Sequence, residues 1–288
     1  MKQLKYLIRE GDYGLNGIPH IIHYCWFGGN PLPDMAIKCI DSWKKYCPDF
    51  EIKQWDESNY DVNKCDYIKE AYEAKKWAFV SDYARYDILY NHGGLYFDTD
   101  VELIKPIDDI LKKGAFMGIE CQELYTVNPG LGLAAPKGIQ FYKDILDFYD
   151  GAHFVDGHGN YNLTTIVTYT TDLLRVKGMK LTKNVQCIEG ITIYPKDYFC
   201  PMDYETGIIN ITNNTCSIHH FHQSWIDDID KYVHKIYQKS KAMFGVRVGL
   251  KIGNVISLPY RVASKLKKLG LKKTIIFVKE RFCANAQK

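Results

Sequence analysis

The chain has 288 residues, of which 46% are hydrophobic and 25% charged, with a formal net charge of +3. This composition is typical of a soluble globular protein with a substantial core, and no run of 18 apolar residues predicts a membrane-spanning helix. Nine cysteines, an odd number at irregular spacings, and an N-terminus without an apolar signal segment favour reduced thiols and a cytoplasmic location.

The charge is distributed unevenly along the chain. Residues 1–229 contain 22 Lys and Arg against 32 Asp and Glu, whereas residues 230–288 contain 15 against 2. A change of this size marks an organisational boundary. The sequence therefore predicts a domain over 1–229 and a basic, helical C-terminal region over 230–288.

The first elements follow a β-α-β order. An apolar run from Ile18 stops at Gly28 and Gly29, which predicts a buried strand that ends in a loop. Helical spacing follows over 34–47, and alternation over 50–55 predicts a second strand. This opening is typical of an α/β domain.

A long helix is predicted next, because apolar residues recur at helical spacing from Asp66 to Asn91 and a glycine pair follows. A short strand then covers 95–98. The remaining predicted elements are strands at 116–119, 185–194 and 207–211 and helices at 138–149 and 165–177.

Two carboxylates, Asp98 and Asp100, stand where the strand at 95–98 ends. Residues two apart on an extended strand share a face, and paired carboxylates suit Mg²⁺ or Mn²⁺. A divalent ion there neutralises the charge on a departing diphosphate. By itself the triplet is a weak signal, since solvated turn carboxylates give the same pattern. A phosphohydrolase with an Asp nucleophile typically has Thr after the pair, where this chain has Val101.

Four stretches, in order, resemble the DXD-containing sugar transferases of glycosyltransferase family 32. They are residues 18–29, 42–57, 78–103 and 219–225. The glucosylating domains of large clostridial toxins look similar at the same landmarks. The resemblance implies an α/β fold of the GT-A (Rossmann-like nucleotide-sugar-binding) type, a nucleotide-sugar donor, a bound Mn²⁺ or Mg²⁺, and retention of anomeric configuration.

The resemblance also implies roles for individual residues. Catalytic residues are Asp82, Arg85, Asp98 and Asp100. Donor contacts come from Trp26, Phe27, Asp82, Arg85, Tyr96, Asp98, Thr99, Ser224 and Trp225. Metal ligands are Asp98, Asp100, His220 and Ser224, with His219 and His222 as alternatives to His220. Simpler interpretations are a core position for the aromatic residues and a surface ion pair for Asp82 and Arg85.

The expected reaction moves a hexose from a nucleotide sugar to a glycan or lipid-linked glycan acceptor in surface or capsular polysaccharide synthesis. A UDP-sugar is favoured over GDP-mannose. Two alternatives remain, a toxin-like protein glycosyltransferase and a non-catalytic nucleotide- or carbohydrate-binding protein. Residues 230–288 mix basic and apolar residues, which predicts peripheral association with an anionic membrane surface on the inner face of the cell membrane; a solvated helical pair packed on the core is the alternative. Nucleic acid is not expected as a partner, because no binding motif is present.

Overall fold

The computed structural model describes residues 15–222 and 227–286, with the side chains of 16–222 and 227–267. Two compact units are found. The first contains residues up to Pro201 together with Ile211–His220, and the second contains Met202–Asn210 together with the chain from Phe221 onward. The domain boundary predicted at residue 230 stays a prediction.

The first unit is built on an eight-stranded sheet in the order β2-β1-β3-β7-β5-β9-β8, with β6 on β5. Strands β1, β2, β3, β5 and β9 run in one direction and the other three run against them. A separate pair of strands, β4 and β10, completes the described strands of the unit. The ten strands are β1 (Ile21–Cys25), β2 (Glu51–Trp55), β3 (Gly94–Tyr96), β4 (Val101–Leu103), β5 (Phe116–Cys121), β6 (Thr126–Asn128), β7 (Leu133–Ala135), β8 (Gln186–Ile188), β9 (Ile191–Tyr194) and β10 (Ser217–His219). The predicted α/β class is confirmed.

Seven helices accompany the sheet in the described part of the first unit. They are α1 (Asp34–Tyr46), α2 (Asp66–Glu73), α3 (Trp77–His92), α4 (Asp108–Leu111), α5 (Gln140–Asp147), α6 (Ile166–Val176) and α7 (Lys196–Phe199). The structure confirms the predicted helices at 34–47, 138–149 and 165–177 and the predicted strands at 50–55 and 116–119.

An aromatic contact in the core fixes the start of β4. The indole of Trp43 on α1 is fully buried, lies 5.5 Å from the ring of Phe97, and donates a hydrogen bond to the Val101 carbonyl at 2.8 Å. Phe97 and Val101 bracket Asp98 and Asp100, so the packing of α1 holds both ends of the carboxylate loop. Opposite Val101, β10 pairs with β4 and brings His219 to the same place.

Two predictions about secondary structure are wrong. The single helix from Asp66 to Asn91 is two helices, because Lys75 adopts a left-handed φ of 57° between them and the ring of Trp77 turns back to lie 5.0 Å from that of Tyr72. The strand at 207–211 is absent apart from one isolated bridge at Ile209. Its isoleucines stay exposed, so no hydrophobic face holds it as a strand.

The second unit is dominated by helical residues Asp228–Ala286, labelled α8. Contacts between distant residues show that the chain reverses direction at Gly245. Gly245 has a φ of 74°, outside the helical region. Ser264 donates a hydrogen bond to Asp230 at 2.9 Å although the two are 34 residues apart. In a straight helix they would be separated by roughly 51 Å. Residues 228–267 therefore form a helical hairpin with antiparallel arms, and the expectation of a helical C-terminal region is confirmed.

Candidate functional site

The candidate site lies at the carboxyl ends of two neighbouring parallel strands, β1 and β3. Trp26 follows β1, and Asp98 follows β3 by two residues. Ligands of open α/β sheets bind in the crevice at these strand ends. The Asp98 backbone is fixed there, since its N–H donates to the Gly130 carbonyl at 3.0 Å and its carbonyl accepts from the Val101 N–H at 3.1 Å.

A buried guanidinium joins the helix residues to the loop carboxylate. Nη2 of Arg85 lies 2.9 Å from Oδ1 of Asp82 and 3.3 Å from Oδ1 of Asp98, and only 5% of the Arg85 side chain is exposed. Its Nε donates to the Ser81 carbonyl at 3.1 Å. The Tyr96 ring lies 5.0 Å from the guanidinium, and its hydroxyl donates to Asp98 at 3.2 Å. Asp82 and Arg85 are thus a buried pair held against the loop, and not the surface ion pair of the simpler interpretation.

Burial sets the charge state of this cluster. Burial raises the pKa of Asp82 to about 6, against the opposing effects of the Arg85 charge and the Ile166 N–H, which donates to its Oδ2 at 3.2 Å. For Arg85, burial alone would lower the pKa, but the charges of Asp98 and Asp82 hold that pKa above its ordinary value. Arg85 is therefore always cationic, whereas Asp82 changes its protonation close to neutral pH.

Gly130 packs directly beneath the cluster. A Cβ atom there would lie 1.9 Å from Oδ2 of Asp98 and 3.0 Å from Nη1 of Arg85. The Gly130 N–H donates to the Asn128 side chain at 2.6 Å, and that side chain donates in turn to Glu120 at 2.7 Å. Only glycine leaves room for the Asp98 carboxylate at this position.

The two adjacent histidines of the C-terminal motif have different partners. Nε2 of His219 lies 3.3 Å from Oδ1 of Asp100, whereas Nε2 of His220 lies 2.7 Å from Oε2 of Glu102. Successive side chains on a strand point to opposite faces, and β10 ends at His219. The His220 N–H donates to the Asp100 carbonyl at 3.0 Å. Burial alone would lower the pKa of His219, but the Asp100 charge and hydrogen bond contribute to raising it well above its ordinary value.

The aromatic residues predicted after β1 occupy different environments. Trp26 is half-buried, and its indole N–H donates to the Asn30 carbonyl at 2.6 Å. Phe27 is buried in the core, with its ring 5.9 Å from that of Tyr60. Thr99 is half-buried on the turn between the two carboxylates. Their donor contacts stay predictions.

The predicted residues nearest the C-terminus differ in what the structure describes of them. Ser224 and Trp225 lie outside the described residues, and His222 belongs to the second unit. His220 is in the first unit, where its ring bonds Glu102, which also binds Nζ of Lys38 at 2.7 Å. Their assigned roles therefore stay predictions.

The oxygen ligands available at the site suit a divalent ion whose remaining coordination positions are filled by substrate and water. Among the residues that the structure describes, no group of three or more His, Cys, Asp and Glu side chains is arranged to hold a metal. Mg²⁺ is commonly bound through one or two carboxylates with water and phosphate oxygens in the other positions. Asp98 and Asp100 provide two such carboxylates on one loop, so they fit the predicted metal.

Glu120 and Gly130 were not among the predicted site residues, and His219 was predicted only as an alternative to His220. Glu120 could have been found, because it stands at the end of the predicted strand 116–119 and so at an edge of the sheet. Choosing His219 over His220 required knowing which side chains of β10 face Asp100. Finding Gly130 required a contact between residues 32 apart in the chain, Gly130 and Asp98. Neither piece of information can be obtained from a local sequence pattern.

The same region matches a known family. The family described as "Glycosyltransferase sugar-binding region containing DXD motif" matches residues 33–117, which include the helix pair, the carboxylate loop and the start of β5. Within the described residues that region holds Asp82, Arg85, Asp98 and Asp100. The chain therefore carries a glycosyltransferase-family region of the DXD type.

Two curated relatives and one solved structure are among the proteins that are similar to the chain. The chain is 30% identical over 111 residues to inositol phosphoceramide mannosyltransferase 1 of Schizosaccharomyces pombe, covering 35% of this chain and 33% of that protein. It is 33% identical over 105 residues to an uncharacterised glycosyltransferase of Acanthamoeba polyphaga mimivirus, covering 34% and 42%. A solved glycosyltransferase involved in glycosylation of the major capsid of PBCV-1 is 13% identical with a TM-score of 0.41, covering 71% and 95%. The chain spans less than half the length of the two curated relatives.

Proposed function

We propose, from the premise that residues 33–117 belong to the DXD sugar-transferase family, that this protein is a metal-dependent glycosyltransferase of the GT-A type. It moves a hexose from a nucleotide sugar, a UDP-sugar in preference to GDP-mannose, to a glycan or lipid-linked glycan in surface polysaccharide synthesis. The donor choice, the acceptor and retention of configuration rest on the resemblance of residues 78–103 and 219–225 to family 32 enzymes.

One observation carries the proposal. The Asp82–Arg85 pair and Asp98 meet in a buried cluster at the carboxyl edge of the sheet, with distances of 2.9 and 3.3 Å from one guanidinium nitrogen to the two carboxylates. Removing the Asp82 carboxylate and the Arg85 guanidinium from water costs free energy, and Asp98 beside them is only partly exposed, at 29% of its side chain. Perturbed ionisable groups at a strand edge are the expected signature of a functional site.

The residues of the cluster divide the work. The Asp82 carboxylate accepts hydrogen bonds from hydroxyl groups of the donor, and Arg85 holds it in place and limits the repulsion between Asp82 and Asp98. Gly130 keeps side-chain atoms away from the Asp98 carboxylate. Asp98 and Asp100 would hold Mn²⁺ or Mg²⁺, which supplies positive charge opposite the departing diphosphate.

The test is release of nucleoside diphosphate from a panel of UDP- and GDP-sugars, with Mn²⁺ and then with EDTA. The wild-type protein should release the diphosphate from one donor, and EDTA should stop it. Asp100→Asn should lower that rate at least about a hundredfold. Asp109→Asn removes an aspartate whose side chain is 93% exposed, and it should leave the rate unchanged.

Two other outcomes would replace the proposal. Metal-dependent nucleotide binding without release of diphosphate from any donor or acceptor mixture would indicate a binding protein on the same fold. The absence of both release and any thermal shift with nucleotide would contradict a nucleotide-sugar site altogether.

A further inference from the structure

The helical hairpin of residues 228–267 has small residues where its arms meet and large apolar residues exposed at its tip. Helices packed in water usually bury their large apolar residues against each other. The two arms approach each other at small and hydroxyl residues, since Ser240, Gly249, Gly253, Ser257 and Ser264 are all buried. One aromatic pair, Tyr232 and Tyr260, also joins the arms with its rings 4.8 Å apart. Close approach is required at this seam. A Cβ on Gly249 would lie 2.4 Å from the Lys241 Cα, and one on Gly253 would lie 2.7 Å from the Tyr237 ring.

Polar contacts join the arms along the same seam. The Tyr237 hydroxyl donates to Asn254 at 2.8 Å and accepts from the Ser257 hydroxyl at 3.2 Å. Amphipathic helices of soluble proteins bury a stripe of large apolar residues against each other. Small-residue seams with interhelical hydrogen bonds are instead the packing that helices use when lipid surrounds them.

A group of large apolar side chains is exposed on the outside of the hairpin, around the reversal at Gly245. This apolar tip consists of Met243, Phe244, Val246, Val248 and Leu250, whose exposed fractions lie between 44% and 73%. Leu250 is five residues beyond Gly245, so the tip extends about 7.5 Å along the arm. That length matches the depth of roughly 5–10 Å to which interfacial helices enter a bilayer.

The positive charge around the tip favours an anionic lipid surface as its partner. Residues 231–267 contain nine Lys and Arg and no Asp or Glu. Arg247 and Lys251, on the second arm of the tip, are exposed. Long basic side chains keep their charged ends at the level of lipid phosphates while their stems follow apolar surface. No described helix is long and apolar enough to cross a bilayer.

We propose that the apolar tip of the hairpin inserts into the interfacial layer of a membrane that contains anionic lipid, with Arg247 and Lys251 at the level of the phosphates. The hairpin enters from one side and does not span the bilayer. The proposal is independent of the sugar-transfer reaction, and it gives structural form to the membrane association expected from the basic sequence of 230–288.

Flotation of the full chain with lipid vesicles tests the proposal. The vesicles are phosphatidylcholine alone or phosphatidylcholine with about 30% phosphatidylglycerol, an anionic lipid. Wild-type protein should float with the anionic vesicles and far less with the neutral ones. The double variant Met243→Ser, Phe244→Ser keeps every charge and should lower the bound fraction at least about tenfold. The double variant Arg247→Gln, Lys251→Gln should weaken binding to anionic vesicles alone.

A matched control separates the tip from exposed apolar surface in general. Val176 on α6 is 83% exposed and lies in the first unit, so Val176→Ser should float like wild type. Helicity by circular dichroism and diphosphate release should be the same for all the variants, which verifies their fold and keeps this test separate from that of the reaction.

Three results would overturn the proposal. They are wild-type protein that stays with neither kind of vesicle, a tip variant that floats as well as wild type, and wild-type protein that is a dimer in solution and becomes a monomer when the tip is changed. The last result would show that the tip is a contact between two copies of the chain.

Discussion

The carboxylate cluster removes charged side chains from water, whereas the helical hairpin leaves apolar side chains exposed to it. In the cluster, Arg85 and Asp82 are charged groups that have been removed from water, with side-chain exposures of 5% and 13%. In the hairpin, Met243 and Phe244 are apolar groups left in contact with water. Both arrangements cost stability in the isolated chain, and each points to the ligand that would relieve it. A polar ligand would stabilise the cluster, and lipid would stabilise the hairpin.

Removing the counter-charge from the cluster should have the largest effect. Arg85→Met leaves two carboxylates that share no cation, so the free energy of unfolding should fall by about 3–5 kcal/mol. Urea unfolding monitored by tryptophan fluorescence measures it. Arg175→Met breaks an exposed pair with Asp172 and an exposed hydrogen bond to the Leu124 carbonyl, so it should cost far less. Equal losses for the two variants would show that burial of the cluster contributes nothing.

Adding one methyl group beneath the cluster should come next. The Cβ in Gly130→Ala would overlap Oδ2 of Asp98, so the carboxylate must move and diphosphate release should fall about a hundredfold. Gly157→Ala is the control, since nothing lies within 4 Å of a Cβ at that position. A Gly130→Ala enzyme with wild-type rate would mean that the position of Asp98 does not matter for the reaction.

The same kind of change in the hairpin should act on the hairpin alone. Gly249→Val places methyl groups against the backbone of Lys241, and overpacking of this kind costs about 1–3 kcal/mol. Hydrogen exchange should speed up in residues 233–257, while amides of the sheet keep their protection. Ala242→Val alters an exposed position of the opposite arm and should leave the exchange pattern as it is. Unchanged exchange in Gly249→Val would contradict a close-packed seam.

The smallest effect is a pH dependence from Asp82. Its pKa of about 6 lies above the ordinary value of 3.8, so the carboxylate that accepts from donor hydroxyls is lost as pH falls through 6. Diphosphate release should drop about tenfold between pH 7 and pH 5. For folding the sign is opposite, because a raised pKa favours the protonated form, and the stabilisation present below pH 4 is lost as pH rises through 6.

The Asp82→Asn variant checks this assignment. It should have a low rate whose acidic limb near pH 6 is absent, and its unfolding free energy should depend less on pH between 4 and 6. An acidic limb near pH 6 that persists in Asp82→Asn would assign the titration to another group.

Local patterns in the sequence indicated the parts of the site that follow a strand or share a helix face. Asp98 and Asp100 were predicted from the apolar strand before them, and Asp82 and Arg85 from their spacing on one helix. The structure places Asp82, Arg85 and Asp98 in one cluster. The spacing of Asp82 and Arg85 is also found in surface pairs, so their functional role was predicted only from the resemblance to family 32.

Tertiary contacts decided what the sequence could not. No glycine or proline marks the break at Lys75, which depends on how Trp77 packs. The pairing of β10 with β4 determines that His219 and not His220 lies next to Asp100. In the tail, the basic and apolar composition predicted helix, but the reversal at Gly245 and the small-residue seam appear only when the two arms are seen together.

The most direct test of the central claim is calorimetric titration of UDP and GDP into the full chain, with and without Mn²⁺, for wild type, Asp100→Asn and Asp109→Asn. Wild type and Asp109→Asn should bind one nucleotide only when Mn²⁺ is present, and Asp100→Asn should give no binding heat. Binding that needs no metal, or that survives in Asp100→Asn at full strength, would contradict a metal-dependent diphosphate site at the loop after β3.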